Sequence, residues 1–365
     1  MIVKDYNKKY NGLIDILKFI FSGLIVFSHG IFLANDGEKL IFGYGLIGVE
    51  FFFVVSGYLL MNTIYSNRLS LKEYIIKRLK GLYAYFSVSF IFCFFSWIFL
   101  LIYNDHPEKW VLFTYILKAP FELFFMSSSG ISTAGINGTW WYISAMLFAE
   151  WLLYPVIRYK EKLYLYYLAP LSLFLISGYM SYNFGVIATG TFSGFVKTDN
   201  LRAILGIITG SLVFYFVEKL KKLRIKKIVL SVCNVVAIIG YAAIFIIAYH
   251  NTYTVHNYVD GNLGFVTLPI LFISVSITCL NDFAKGKILC KWLGKLSACI
   301  YFVHWQCMTI VQTLYKNKRG TYHEKLIFLF VLSFVIANIV MMISDYVRTK
   351  IDKYKYQILN TLTDR

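Results

Sequence analysis

Run length constrains this chain more than any other feature. Apolar stretches of about twenty residues recur from end to end, and about twenty helical residues cross the hydrocarbon of a bilayer. Ten can be drawn, at roughly 12–33, 41–62, 82–103, 139–157, 163–180, 200–217, 228–249, 262–280, 293–315 and 325–347. Hydrophobic residues make up 58% of the 365, and only 15% are charged. With a mean hydropathy of +0.63, that excludes an ordinary soluble domain. The expectation is an all-α polytopic membrane protein with about ten transmembrane helices. Residues 1–365 form one integral-membrane domain, and 348–365 a short basic cytoplasmic tail. The first run carries Lys18 and His29 and shows no small-residue cleavage site, so it reads as a retained span rather than a signal peptide.

The net charge of +17 first suggests nucleic acid. The cations argue against that partner, because they lie almost entirely between the apolar runs. With the N-terminus in the cytoplasm, the inner connections hold 26 Lys and Arg and the outer ones 8. That bias places both termini in the cytoplasm. The last hairpin is the exception, with Lys316–Arg319 on the outer side. The six cysteines fall in spans or inner turns, so no disulfide is expected.

The stretch Gly12–Leu60 organises the chain. It holds two apolar segments joined by a polar turn, and both carry ionisable residues: Lys18 and His29 in the first, Glu50 in the second. Such groups inside a span are costly unless paired or wet, which marks them as functional. Eleven residues separate Lys18 from His29, a spacing that returns to nearly the same helix face with ~16 Å of rise. Glu50, nine residues into a second helix starting at Ile41, is predicted at a similar depth to His29. A Glu50–His29 pair would fix the imidazole tautomer and stabilise its protonated form.

Other candidates carry two readings each. Segment 63–81 is basic and amphipathic. Leu71, Tyr74, Ile75 and Leu79 form its apolar stripe, and Lys72, Lys77, Arg78 and Lys80 its cationic rim. It reads as an interfacial helix on anionic lipid or as a dock for a phosphate-bearing ligand. In the long outer segment 104–138, KWVLFTYILKAPFELFFM suits a re-entrant or surface-lying helix. Trp140, Trp141 and Tyr142 read as an aromatic belt or as a stacking platform for a sugar. Glu150 is a further buried carboxylate. Ser297, Tyr301 and His304 share one face of the ninth span, either as interhelical packing or as the lining of a cavity. His106, His250, His256 and His323 read as surface histidines. No P-loop, GxSxG or HExxH motif is present, and neither a metal nor a tightly bound cofactor is expected.

Four ordered blocks resemble the acyltransferase 3 family of membrane O-acyltransferases. They are a basic residue, ten residues and then His (Lys18 to His29); GLIGVEFFFVVSGYLL (45–60); WWYISAMLFAEWLLYPVI (140–157); and LGKLSACIYFVHWQ (293–306). The resemblance implies transfer of an acyl group, usually acetyl, from cytoplasmic acyl-CoA to a sugar of a glycan or glycolipid. It points to His29 as the catalytic residue with Lys18 as its basic partner. The family often has a second Arg three residues after the first in the inner basic block. Here Arg78 is followed by Gly81, with Lys77 and Lys80 as substitutes, and Ala84 stands where a proline is common.

Taken together, acyl-CoA is expected to bind through Lys77, Arg78 and Lys80. Its arm would reach past Lys18 to His29, which is oriented by Glu50 and acts as general base or forms an acyl-imidazole. Trp140 and Trp141 would receive the acceptor, and Ser297, Tyr301 or His304 would donate to the oxyanion. Partners are then acyl-CoA, a cell-surface polysaccharide or its lipid-linked precursor, and the lipid of a bacterial cell membrane, with no nucleic acid and an oligomeric state the sequence leaves open. The alternative is a polytopic glycan exporter, flippase or polymerase without acyl transfer.

Overall fold

The structure, a computed structural model, describes residues 10–35, 38, 40–105, 109–131, 135–184, 190–223, 225–250, 263–281, 283–316 and 320–363. His106, His256 and most of the Lys316–Arg319 cluster lie outside them. The helices are α1 (Gly12–His29), α2 (Gly48–Asn67), α3 (Leu71–Asp105), α4 (Lys109–Leu123), α5 (Trp141–Tyr159), α6 (Glu161–Leu163), α7 (Ala169–Phe184), α8 (Thr198–Leu220), α9 (Lys227–His250), α10 (Leu263–Leu280), α11 (Lys287–Tyr315) and α12 (Tyr322–Thr363). A π turn at Tyr164–Leu168 joins α6 to α7. The described strands form one short antiparallel hairpin, β1 (Phe192–Ser193) and β2 (Val196–Lys197), with Phe192 opposite Lys197.

Among the described residues, seven helical segments are long and apolar enough to cross a membrane: Gly12–Leu33, Gly45–Asn67, Leu71–Asn104, Glu161–Phe184, Thr198–Leu220, Lys227–His250 and Tyr322–Tyr354. The remaining three expected spans coincide with α5, α10 and α11, which fall outside that group by length or composition. Two boundaries differ from expectation. The basic segment is not a separate interfacial helix, because α3 runs unbroken for 35 residues. Ser70 and Glu73 start it as a reciprocal capping box, with Glu73 Oε2 accepting the Ser70 N–H at 2.7 Å and Ser70 Oγ accepting the Glu73 N–H at 3.3 Å. No proline follows within it. Likewise, most of the basic tail is a continuation of α12, which stays helical to Thr363.

Two helices are hubs. α8 packs against α2, α5, α7 and α10, and α11 against α1, α3 and α12. A single large core joins them, with the Phe21 and Phe51 rings stacked at 4.1 Å. Burial separates inner from outer helices. In the most apolar window of each span, 83% of α2 is buried but only 11% of α9, whose exposed face is Ile, Val and Tyr. Apolar side chains left uncovered in this way suit contact with lipid. α4 runs back along α3. The Tyr83 hydroxyl donates to the Leu123 carbonyl at 2.7 Å, and Trp97 packs on Tyr115.

Candidate active site

His29 ends α1, and the chain continues through a 3-10 turn at Gly30–Leu33. Its Nδ1 lies 2.9 Å from the Ile25 carbonyl, one turn back. A carbonyl only accepts, so Nδ1 carries the proton. Nε2 is left with its lone pair and has no hydrogen-bond partner among the described residues. The α1–α11 packing brings His304 beside it, with Nε2 3.3 Å from His29 Nδ1 and the ring centroids 5.0 Å apart. His304 Nδ1 is in turn held by the Tyr301 carbonyl at 2.9 Å. The Trp305 edge closes the other side of His29 at 5.4 Å.

The connection between α4 and α5 supports this turn of α11. Asn137 Nδ2 donates to the Phe302 carbonyl at 3.1 Å, and Trp140 Nε1 donates to the same oxygen at 3.2 Å. The Tyr301 hydroxyl donates to the Thr139 carbonyl. Gly138 lies beneath Trp305, where a Cβ would come within 2.8 Å of the indole. Glu122, buried at the end of α4, pins the segment from behind by accepting the N–H groups of Gly135 at 2.5 Å, Ile136 at 2.9 Å and Asn137 at 3.2 Å.

A row of polar groups runs from the basic end of α3 to this histidine pair. Glu150 accepts from Tyr74 at 2.7 Å and from Arg78 Nε and Nη2 at 2.9 and 2.8 Å. Arg78 Nη2 also meets Met146 Sδ at 3.1 Å, and Ser56 Oγ meets the same sulfur at 3.3 Å. Ser56 lies 3.3 Å from the Tyr142 hydroxyl. Tyr142 packs on Tyr301, and Tyr301 on His304. The adjacent Gly57 serves the fold instead, because a Cβ there would overlap the Ile207 carbonyl of α8.

Several expectations are corrected. Glu50 does not orient His29. α2 begins at Gly48 rather than Ile41, so Glu50 sits in its first turn, facing α8. Arg202 of α8 grips it through Nε–Oε1 at 2.7 Å and Nη2–Oε2 at 2.6 Å and also donates to the Leu46 carbonyl at 3.1 Å. Among the described residues no hydrogen bond joins Glu50 to His29, and His304 occupies the flank of the imidazole. Trp140 is not an exposed sugar platform. It is fully buried against Phe86 and Phe90, because its indole N–H finds a partner only inside the bundle. Trp141 is half-buried, with the Arg202 guanidinium 5.3 Å from its ring centroid. Ser297 donates to the Lys18 carbonyl at 2.9 Å, a packing bond between α11 and α1. Lys18 itself pairs with Asp15 at 3.1 Å. The presumed donor-binding trio divides between two faces of α3, Arg78 toward α5 and Lys77 and Lys80 toward α12. Arg202, Ser56, Asn137 and Trp305 went unassigned in the sequence, and Tyr142 was read only with Trp140 and Trp141 as aromatic belt or sugar platform. Only Arg202, a lone cation in an apolar run, carried a signal that could have found it.

Residues 11–344 match the family model described as an acyltransferase domain. No curated protein and no solved structure matches the chain significantly.

Proposed function

The chain belongs to the acyltransferase 3 family of membrane acyltransferases, and from that premise we propose that it moves an acyl group, acetyl by preference, from cytoplasmic acyl-CoA to a sugar hydroxyl of a bacterial cell-surface glycan. In this reading the chain crosses the cell membrane ten times. The thioester arm follows the polar row from Arg78 toward His29, and the acceptor arrives from the opposite face. His29 Nε2 takes the hydroxyl proton as the sugar oxygen attacks the thioester carbonyl. The tetrahedral intermediate collapses, the C–S bond breaks, and the coenzyme A thiolate recovers the proton from the imidazolium. The Ile25 carbonyl and His304 Nε2 flank His29 Nδ1–H and stabilise that imidazolium, the task the sequence had suggested for Glu50.

The observation that carries this reading is the tautomer of His29. Its Nδ1 lies 2.9 Å from the Ile25 carbonyl and 3.3 Å from His304 Nε2, which leaves the Nε2 lone pair without a partner among the described residues. The test is base-labile acetate on the purified surface glycan of three strains: wild type, deletion and His29→Ala. Loss of a general base costs a hundredfold or more, so His29→Ala is expected to match the deletion while its protein still reaches the membrane. Near-wild-type acetate with His29→Ala would overturn the assignment.

A further inference from the structure

At the basic end of α3 a groove of about 1000 Å³ opens against α12. Its walls are apolar, formed by Ile76, Ala84, Val88 and Val347, and its rim carries Lys77, Lys80 and Arg348. Two carboxylates also line it, but both are engaged. Glu73 accepts the Ser70 N–H and hydroxyl at 2.7 and 2.8 Å, and Asp352 sits 3.9 Å from Arg348. Among the described residues Lys77 and Lys80 have no carboxylate partner.

The second observation is Ser344. It lines the same groove and is only 2% exposed, yet its hydroxyl has no hydrogen-bond partner among the described residues. The neighbouring polar cluster does not account for it, because Asp345 is taken by Tyr85 at 2.9 Å and Lys295 at 2.9 Å. A buried hydroxyl left unpaired is costly and calls for a partner from outside the chain. Ser344 lies one turn of α12 from Arg348, about 6 Å further along the helix. From rim to depth the groove therefore offers cations, then a hydroxyl, then apolar wall. A glycerophospholipid has the same order of groups: phosphate, ester carbonyl, acyl chain.

We propose that this groove is a binding site for an acidic glycerophospholipid of the adjoining leaflet. The phosphate meets Lys77 and Lys80, the rim cations without a carboxylate partner among the described residues. The Ser344 hydroxyl donates to an ester carbonyl, and an acyl chain lies along Ala84 and Val88. The site is separate from the polar row, which α3 joins through Tyr74 and Arg78 on a different face, and it does not rest on the proposed acyl transfer.

The test is native mass spectrometry of the full-length protein in neutral detergent, titrated with phosphatidylglycerol or with phosphatidylcholine of the same chains. Phosphatidylglycerol is expected to bind preferentially. Lys77→Gln and Lys80→Gln each reduce that preference by about fivefold, the effect of one cation near a phosphate layer. Ser344→Ala weakens phosphatidylglycerol binding while leaving the melting temperature of the lipid-free protein unchanged. Lys221→Gln/Lys222→Gln, remote from the groove, leaves binding as in wild type. Equal binding of the two lipids, or wild-type preference in Ser344→Ala and the lysine variants, overturns the proposal. Displacement of bound phosphatidylglycerol by coenzyme A would also overturn it, by giving the groove to a nucleotide instead.

Discussion

Glu50 and Arg202 meet with side chains 4% and 6% exposed, and both carboxylate oxygens are used. Removing one partner strands a buried charge, which costs about 3–5 kcal/mol. Glu50→Gln and Arg202→Met are therefore expected to lower the melting temperature in detergent sharply. The double variant Glu50→Met/Arg202→Met is expected to lose less than the two singles combined. A Glu50→Gln protein with wild-type melting but no turnover would return Glu50 to the chemistry. Much of the site was legible residue by residue: His29 and His304 stood out as ionisable groups on apolar helices. The partner of Glu50 was not, because Arg202 lies 152 positions away and spacing along a chain says nothing about which distant helix arrives alongside. Trp140 misled for a related reason. An aromatic beside a Gly/Ser-rich turn looks interfacial until the turn itself folds inward, as Asn137–Trp140 does onto the Phe302 carbonyl.

The helices were the most legible elements, since each apolar run became one. Their lengths were less so: a change from basic to apolar composition suggested a break near residue 81, but the backbone continues helical through it. Glycines decide how closely α2 and α8 approach. A Cβ on Gly57 would overlap the Ile207 carbonyl, one on Gly210 the Val54 carbonyl, and one on Gly206 the Phe53 side chain. Packing by small residues is how helices approach closely where lipid supplies no hydrophobic drive. Gly210→Ala is expected to abolish the monodisperse peak in size-exclusion chromatography in detergent, because backbone on the facing helix cannot yield. Gly178→Ala in α7 meets nothing within 4 Å and is expected to be neutral, or stabilising by up to about 1 kcal/mol. Equal behaviour of the two variants would refute the close-contact argument.

At the scale of the whole molecule, the histidine pair sits between the basic end of α3 and an α4–α5 connection that folds back into the bundle. The charge bias predicts that the basic ends of α3 and α12 face the cytoplasm. A membrane-impermeant maleimide applied to intact cells is expected to label Lys197→Cys, beside the strand hairpin, and to reach Lys222→Cys only after permeabilisation. The reverse pattern would exchange the donor and acceptor faces. This orientation is an expectation of composition alone, whereas the fold of the α4–α5 connection into the bundle depends on bonds such as Glu122 to the N–H groups of Gly135, Ile136 and Asn137. That clasp divides the connection in two. Residues 135–140 back α11 through the Tyr301 and Phe302 bonds, while Ser128, on the other side of the clasp, is held by Ser144 of α5 and Asn200 of α8. In mechanical terms the clasp is a keystone: the backing of the histidine pair depends on one carboxylate, carried by a helix that holds neither histidine.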